Sequence, residues 1–304
     1  MAKGKDTIWE KFLSPVFRLF IDEKGLRRYA DSIDWEQESA RWRRCDVITP
    51  SYYAEENFHG VEGGYLNSSA AVSYDPITQY VLVPNETLVR QALIDAIKVQ
   101  PRRILDLGCG TGSTTLMLKQ AFPAAEVIGL DLSPYMLVRA ADKARNAFLD
   151  IQWRHGNAET TGFPDGGFDL VTAALLFHET PSAVCQSILR ESFRLLVPGG
   201  QVLIVDGNQN TLRHLNWLNN IFEEPYIRDY AADNLDARMG AAGFEAVRTQ
   251  DFWWINQVTS GIKPMAVTDA NVQSHTHRYV QTLDTATDNN ELDDFGSPAF
   301  GIIK

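Results

Sequence analysis

Paired cysteines are missing from this chain. Its three thiols, Cys45, Cys109 and Cys185, lie far apart and none belongs to a C-x-x-C pair, so neither a zinc centre nor a disulfide framework is expected, and a reducing cytoplasmic setting is. Positive charge is in deficit. Lysine and arginine number 28 against 39 acidic residues, for a net charge of −11, which argues against a protein built to neutralise nucleic-acid phosphates. No stretch of about 18 apolar residues occurs, so no transmembrane helix is expected. The basic start at Met1–Asp6 is followed by a run broken at Lys11, Arg18 and Asp22, a poor secretory signal. Repeats and low-complexity tracts are also lacking.

What remains is ordinary for a globular protein: 304 residues, 44% hydrophobic and 22% charged, enough for one α/β domain with additions, or for two small domains. Residues 7–45 read as helical, with Ile8, Phe12, Val16, Phe17 and Phe20 forming one apolar stripe and Trp9, Trp35 and Trp42 adding bulk. A cap packed on the main domain is the preferred reading, because the polar residues are acidic as well as basic. An amphipathic helix making peripheral contact with a membrane or a lipid-like substrate is the alternative. Residues 46–85 hold Tyr52, Tyr53, Phe58, His59, Tyr65, Tyr74 and Tyr80 among glycines and Pro76 without lasting periodicity. They read as an ordered aromatic loop, either closing over a ligand or merely packed on the surface.

From about Asn85 the pattern turns regular. A helix to Lys98 stops before Pro101, and strands then alternate with helices: strands 103–107, 126–131, 151–155, 168–177 and 201–206, helices 113–121, 133–148 and 181–196. Ser133 reads as an N-cap with Pro134 in the first turn, and Pro198–Gly200 as a turn. After Gly207 the chain is helical and aromatic, and 244–251 and 253–260 read as neighbouring strands. Apolar strands between helices predict a parallel sheet covered on both faces, with ligands at its carboxyl edge. The acidic tail 267–304 is read as flexible, or as an arm docking through Phe295, Phe300, Ile302 and Ile303.

The stretch Ile104–Gly112 ends one strand and opens a helix. Its glycines, Gly108, Gly110 and Gly112, let the backbone approach a ligand closely, and the helix start offers free N–H groups. Spacing separates the candidates. A dinucleotide loop wants G-x-G-x-x-G and a P-loop wants Gly-Lys-Ser/Thr; neither is present. Asp106, two residues before the first glycine, would repel a pyrophosphate but accept from an ammonium group. An acidic lining suits S-adenosylmethionine, which carries an ammonium and a sulfonium. Asp131, closing the second strand, is placed to accept from both ribose hydroxyls. Leu132 can lie against adenine, and the Asn157 amide can pair with the adenine edge.

Five segments in order carry a resemblance: ILDLGCGTG (104–112), VIGLDLSPYML (127–137), GNAETTGFPDGGFDLV (156–171), LRESFRLLVPGGQVLIVD (189–206) and GFEAVRTQDFWWINQVTSGIKP (243–264). They resemble the successive motifs of the class I S-adenosylmethionine-dependent methyltransferases, over roughly residues 85–264. The run from Asn157 to Asp169 is most similar to the branch with the ubiquinone and menaquinone C-methyltransferases, although most of these carry Asp where this chain has Asn157. The resemblance implies an α/β Rossmann-like fold, a mostly parallel seven-stranded sheet with a terminal antiparallel strand, over 85–266. A helical and loop cap over 1–84 and the tail 267–304 flank it. It also implies that Asp106, Gly108, Cys109, Gly110, Asp131, Leu132, Asn157 and Ala158 line the cofactor site, with Gly112 permitting close helix approach.

S-adenosylmethionine, with S-adenosyl-L-homocysteine as product, is then the expected cofactor, and no metal is expected. The acceptor is expected to be a small aromatic, quinone-like or lipid-like molecule, not a nucleic acid, methylated on carbon or oxygen. A protein or RNA acceptor, or cofactor binding without turnover, is the alternative. A general base is needed only where the nucleophile holds its proton. His178, just past the fourth strand, is the first candidate, with Glu179 orienting it or accepting a proton; His178 as a cap is the competing reading. Asp206, Tyr52, His59, Tyr74, Tyr80 and Trp217 are candidate acceptor-site residues, and Phe222 would add to an aromatic pocket. His155 is read as structural, and His275 and His277 are set aside.

Overall fold

The computed structural model describes residues 22–58, 63–215 and 225–265, without the side chains of Tyr80 and Val81. The expected stripe from Ile8 to Phe20, His59, the Tyr80 side chain, Trp217, Phe222 and the tail 267–304 lie outside the described residues. The chain divides into one unit of Met1–Pro264 and a second of Met265–Lys304; the elements below belong to the first.

Five parallel strands form the scaffold: β1 (Arg103–Leu107), β2 (Glu126–Asp131), β3 (Gln152–His155), β4 (Phe168–Ala174) and β5 (Leu196–Gly207). With β6 (Glu245–Phe252) and β7 (Asn256–Ile262) they make one seven-stranded sheet in the order β3-β2-β1-β4-β5-β7-β6. The last strand in the chain, β7, is antiparallel to both its neighbours. The expected mixed sheet is therefore present, its antiparallel strand inserted between β5 and β6.

Strands buried on both faces explain the near-continuous apolar runs. Alternation sorts them: Leu105 and Leu107 pack with Val171, Ile188 and Ile204 on one face, Ile104 with Val89, Leu93, Leu118 and Leu170 on the other. The expected turn at Pro198–Gly200 lies instead inside β5. There the β4 pairing jumps from Leu196 to Gln201, and the Gly199 N–H donates to Lys263 O at 2.8 Å, so the extra residues bulge without ending the strand.

The sequence before β1 holds helices α1 (Glu23–Asp31), α2 (Trp35–Trp42), α3 (Ser51–Ala54), α4 (Ser68–Val81) and α5 (Glu86–Asp95). The segment 46–85, expected as loop, thus holds two helices, the longer of 14 residues, a correction. The Asn67 side chain caps α4 by accepting from Ala70 N, while Pro76 sits inside the helix, where it reads as a break from sequence. Ala70 and Ala71 face Phe58, Tyr65 and Met136, with Tyr53, Tyr74 and Tyr135 packed around them. This third core pins α4 to α7 (Pro134–Asn146), which follows β2 and is capped by Ser133 with Pro134 in its first turn. The helices α6 (Ser113–Ala121) and α8 (Ser182–Leu195) follow β1 and β4; α9 (Gln209–His214), α10 (Ile227–Ala232) and α11 (Leu235–Ala241) come after β5.

Candidate active site

The carboxyl ends of β1 to β4 open into a cavity. Its floor is the glycine loop. Gly108 and Gly110 have φ of +61° and +52°, and a side chain on Gly110 would meet nothing within 4 Å, whereas one on Gly112 would strike Trp153 at 2.5 Å and Ala140 at 3.1 Å. Gly110 therefore faces open space, and Gly112 permits close packing of α6 on the sheet. The loop is tied to β2: Cys109 N donates to Leu130 O at 3.0 Å and Gly110 N to Asp131 Oδ2 at 2.7 Å.

Asp131 lines the cavity. Its Oδ1 accepts from Ser133 N at 2.7 Å, so each oxygen holds one backbone N–H. An ionised carboxylate has about four lone-pair positions, which leaves two for a diol. Burial pushes its pKa up to about 6; the Ser133 and Gly110 N–H groups oppose this, and Glu179 and Asp106 add to it. Leu132, Asn157 and Ala158 line the same end. The Asn157 amide is oriented by Glu159: Oδ1 accepts from Glu159 N at 2.9 Å and Nδ2 donates to Glu159 Oε1 at 3.3 Å. The Tyr52 hydroxyl donates to the same Oε1 at 3.0 Å.

The opposite wall is aromatic, made by Tyr52, Tyr53, Tyr65 and Tyr74. Tyr65 stacks on Phe58 with centroids 5.3 Å apart and meets Tyr74 edge-on at 5.9 Å. Burial raises the pKa of Tyr52, Tyr53 and Tyr74 above the usual phenol range, so these phenols are donors at neutral pH and not bases. Tyr65 donates to Glu179 Oε1 at 2.6 Å, and Glu179 also lines the cavity.

Several expected residues sit beneath the lining. Asp106 is 1% exposed, with Oδ1 accepting from the Thr172 hydroxyl at 2.8 Å and Oδ2 from Thr115 at 2.6 Å. Burial pushes its pKa up to about 6, against the two threonines and Arg90. Cys109 is buried behind the loop. Asp206 is fully buried under the turn Phe177–Glu179, accepting from Phe177 N at 2.8 Å, His178 N at 3.3 Å, Gly207 N at 2.7 Å and His178 Nδ1 at 2.6 Å. A carboxylate on Nδ1 orients an imidazole as in a His–Asp pair, and His178 Nε2 lies 3.9 Å from Glu179 Oε1.

Tyr53, Tyr65, Leu175, Leu176 and Thr180 line the cavity without having been singled out from the sequence. The two tyrosines belong to the aromatic segment that was noted; the leucines carried no signal. Leu175 has φ +60°, a conformation costing a residue with a side chain about 1–2 kcal/mol, and this turn brings Leu176 over Gly108. Among the described residues no group of three His, Cys, Asp or Glu stands together as a metal site, and no helix is long and apolar enough to cross a membrane.

This geometry has counterparts. The methyltransferase-domain family model matches residues 104–200. The demethylmenaquinone methyltransferase of Thermus thermophilus is 37% identical over 140 residues, 46% of this chain and 63% of that protein. The Lactococcus lactis enzyme of the same name is 34% identical over 160 residues, 52% and 60% of the two chains. The chain thus spans about three fifths of the length of these relatives. Among solved structures, phosphoethanolamine N-methyltransferase 2 of Haemonchus contortus, with S-adenosylhomocysteine bound, superposes with a TM-score of 0.50 at 15% identity, covering 66% of this chain and 58% of that one. A methyltransferase from Aquifex aeolicus gives 0.50 at 18% identity over 65% and 98%. At these identities the structural likeness speaks for the fold, and fold, loop geometry and sequence matches agree in supporting a class I S-adenosylmethionine-dependent methyltransferase domain, its family match lying over residues 104–200.

Proposed function

We propose that the chain is a methyltransferase that moves a methyl group from S-adenosylmethionine to a small aromatic, quinone-like acceptor. The observation that carries this is one cavity with two unlike halves: the glycine loop with Asp131, Leu132 and Asn157 on one side, and four tyrosines with Glu179 on the other. The first half suits the cofactor, because Gly110 leaves open space and Asp131 keeps two lone-pair positions for a diol. S-adenosylmethionine, when bound, supplies a methyl group already activated on a sulfonium. The protein's work is then alignment and exclusion of water. The tyrosine wall offers flat apolar faces for an aromatic ring. The Glu179 carboxylate, which also accepts from Tyr65, takes the proton of an acceptor hydroxyl. His178, oriented by Asp206, adjoins Glu179 and supports its orientation.

The name borne by the sequence relatives, demethylmenaquinone methyltransferase, supports the quinone-like acceptor, and the net charge of −11 disfavours a phosphate-rich one. A cytoplasmic location agrees with cysteines that are unpaired among the described residues.

Calorimetry with S-adenosylmethionine and S-adenosylhomocysteine tests the first half. Binding is expected, and Asp131→Ala should weaken it by roughly 1–3 kcal/mol, as for a lost buried partner. Mass-spectrometric turnover with a panel of phenols and hydroquinones tests the second. Glu179→Gln should lower kcat at least tenfold with cofactor affinity retained. No affinity for either cofactor form, or unchanged turnover in Glu179→Gln, overturns the corresponding half.

A further inference from the structure

We propose that His155 is a positioning residue, whose neutral ring clamps the segment leading to the tyrosine wall onto the loop that follows Asp131. The ring stands at the end of β3 and the residue is 4% exposed. Its Nε2 lies 3.0 Å from Leu132 O, and its Nδ1 is 3.1 Å from the Arg44 N–H, which donates to it. A carbonyl can only accept and a backbone N–H can only donate. The two partners therefore require a hydrogen on Nε2 and a lone pair on Nδ1.

Both ends of this clamp lead into the cavity. Leu132 is a lining residue adjoining Asp131, and Arg44 begins the stretch that runs to the lining residues Tyr52 and Tyr53. Tyr52 in turn reaches Glu159, which orients Asn157. A second proton on the ring would point at the Arg44 N–H, donor against donor, and break the tie at that end.

The surroundings disfavour that proton. Burial is the largest influence and holds the imidazole below its usual pKa, opposed by the bond to Leu132 and reinforced by Arg43 and Arg44. Asp46 favours the proton, but it is exposed and paired with Arg44 at 2.5 Å. Arg154 precedes His155 on β3, and Asp131 is the register partner of His155 on β2. On α7, which packs against β3, Arg139 and Lys143 are paired with Asp75, and Arg145 with Asp142. Because the folded value lies below the unfolded one, the clamp is fully present above about pH 6.5 and is lost as pH falls. An open-state imidazole of pKa about 6.5 limits the effect to about tenfold in ligand affinity at pH 5.5.

The inference rests on the cavity being the cofactor site. Its test is S-adenosylhomocysteine affinity at pH 7.5 and 5.5 for wild type, His155→Gln and His155→Phe. Glutamine keeps a donor and an acceptor without titrating; phenylalanine keeps neither. Asp131 titrates in the same range and contributes equally to all three. Glutamine should match wild type at pH 7.5 and lose up to tenfold less on acidification, while phenylalanine should bind weakly at both. Parallel profiles for wild type and His155→Gln, or unimpaired binding by His155→Phe at pH 7.5, overturn the clamp. A second measurement needs wild type alone: amide exchange at Arg44, corrected for its intrinsic rate, should lose protection between pH 7 and 5.5, while the Cys109 amide, bonded to Leu130 O, keeps it. Arg44 protection independent of pH refutes the clamp even if no ligand binds, whereas absence of ligand binding with pH-sensitive protection counts only against the functional reading.

Discussion

Replacing Asp106 by asparagine should make the ligand-free protein more stable at neutral pH. The carboxyl is buried between two threonine hydroxyls, and burial lifts its pKa from about 3.9 in an unfolded chain to about 6. That displacement corresponds to roughly 3 kcal/mol of penalty on the charged form. Asparagine is nearly isosteric and neutral. Thr115 and Thr172 can each donate or accept, so one hydroxyl can reverse and meet the new NH2 group. Arg90, whose charge favours the carboxylate, keeps its partners, Glu86 at 2.8 Å and Thr114 at 2.6 Å. Allowing for imperfect replacement, a gain of about 1–3 kcal/mol is expected.

The pH dependence identifies the cause. Folding takes up a proton between the two pKa values, so the wild-type carboxyl favours the fold below about pH 4, and that contribution is lost as pH rises through about 6. The advantage of Asp106→Asn should therefore be small at pH 4 and full above pH 7. Scanning calorimetry at several pH values reads it directly, at roughly 2–4 °C per kcal/mol for a chain of this size. A variant no more stable than wild type at pH 7.5, or one whose advantage is greatest in acid, refutes the reasoning. If the buried charge is kept for the cofactor, the stabilised variant will also bind S-adenosylhomocysteine less well, a trade of stability for function.

Two further outcomes follow from the geometry. Gly108→Ala places a side chain at φ +61° with its Cβ 2.7 Å from Leu176 Cδ1; it should cost about 1–3 kcal/mol and weaken cofactor binding, and an unchanged melt with unchanged affinity would contradict the loop as described. Asp75 on α4 is bonded to Lys143 of α7 at 2.9 Å and to the Thr111 hydroxyl of the glycine loop, so removing either charge alone should destabilise by about 2 kcal/mol. Asp75→Asn with Lys143→Met should cost clearly less than the sum, and strict additivity in denaturant melts would show that the pair does not couple cap and loop.

The sheet was legible because its signals are local. Val, Ile and Leu runs mark β1 and β2 to the residue, and Ser133-Pro134 marks the start of α7 through its cap. What was not legible depended on distant partners. Helix α4 is held by Phe58, Tyr65 and Met136, a tertiary contact that outweighs the discouraging Pro76. Asp106 reads from sequence as a lining residue because it stands at a strand end. Only the strand's alternation and the threonines of α6 and β4 turn it inward. His178 and Asp206 could each be suspected separately, but their 2.6 Å contact joins residues on two strand ends.

The two halves of the cavity also differ in where they are encoded. The glycine loop, Asp131, Asn157 and Glu179 fall within the matched 104–200 stretch, whereas Tyr52, Tyr53, Tyr65 and Tyr74 precede it. The halves are nevertheless joined by specific bonds: Tyr65 to Glu179, Tyr52 to Glu159, and the Ser133 hydroxyl to Tyr65 O at 2.6 Å. Each bond joins a wall residue to Glu179 or to a residue on the glycine-loop side, so a shift of α4 or of the segment before it would reach Glu179 directly and Asn157 through Glu159. It follows that exchanging tyrosines in this wall should change acceptor choice and, through Glu179 and through Glu159 with Asn157, the rate and the cofactor affinity together.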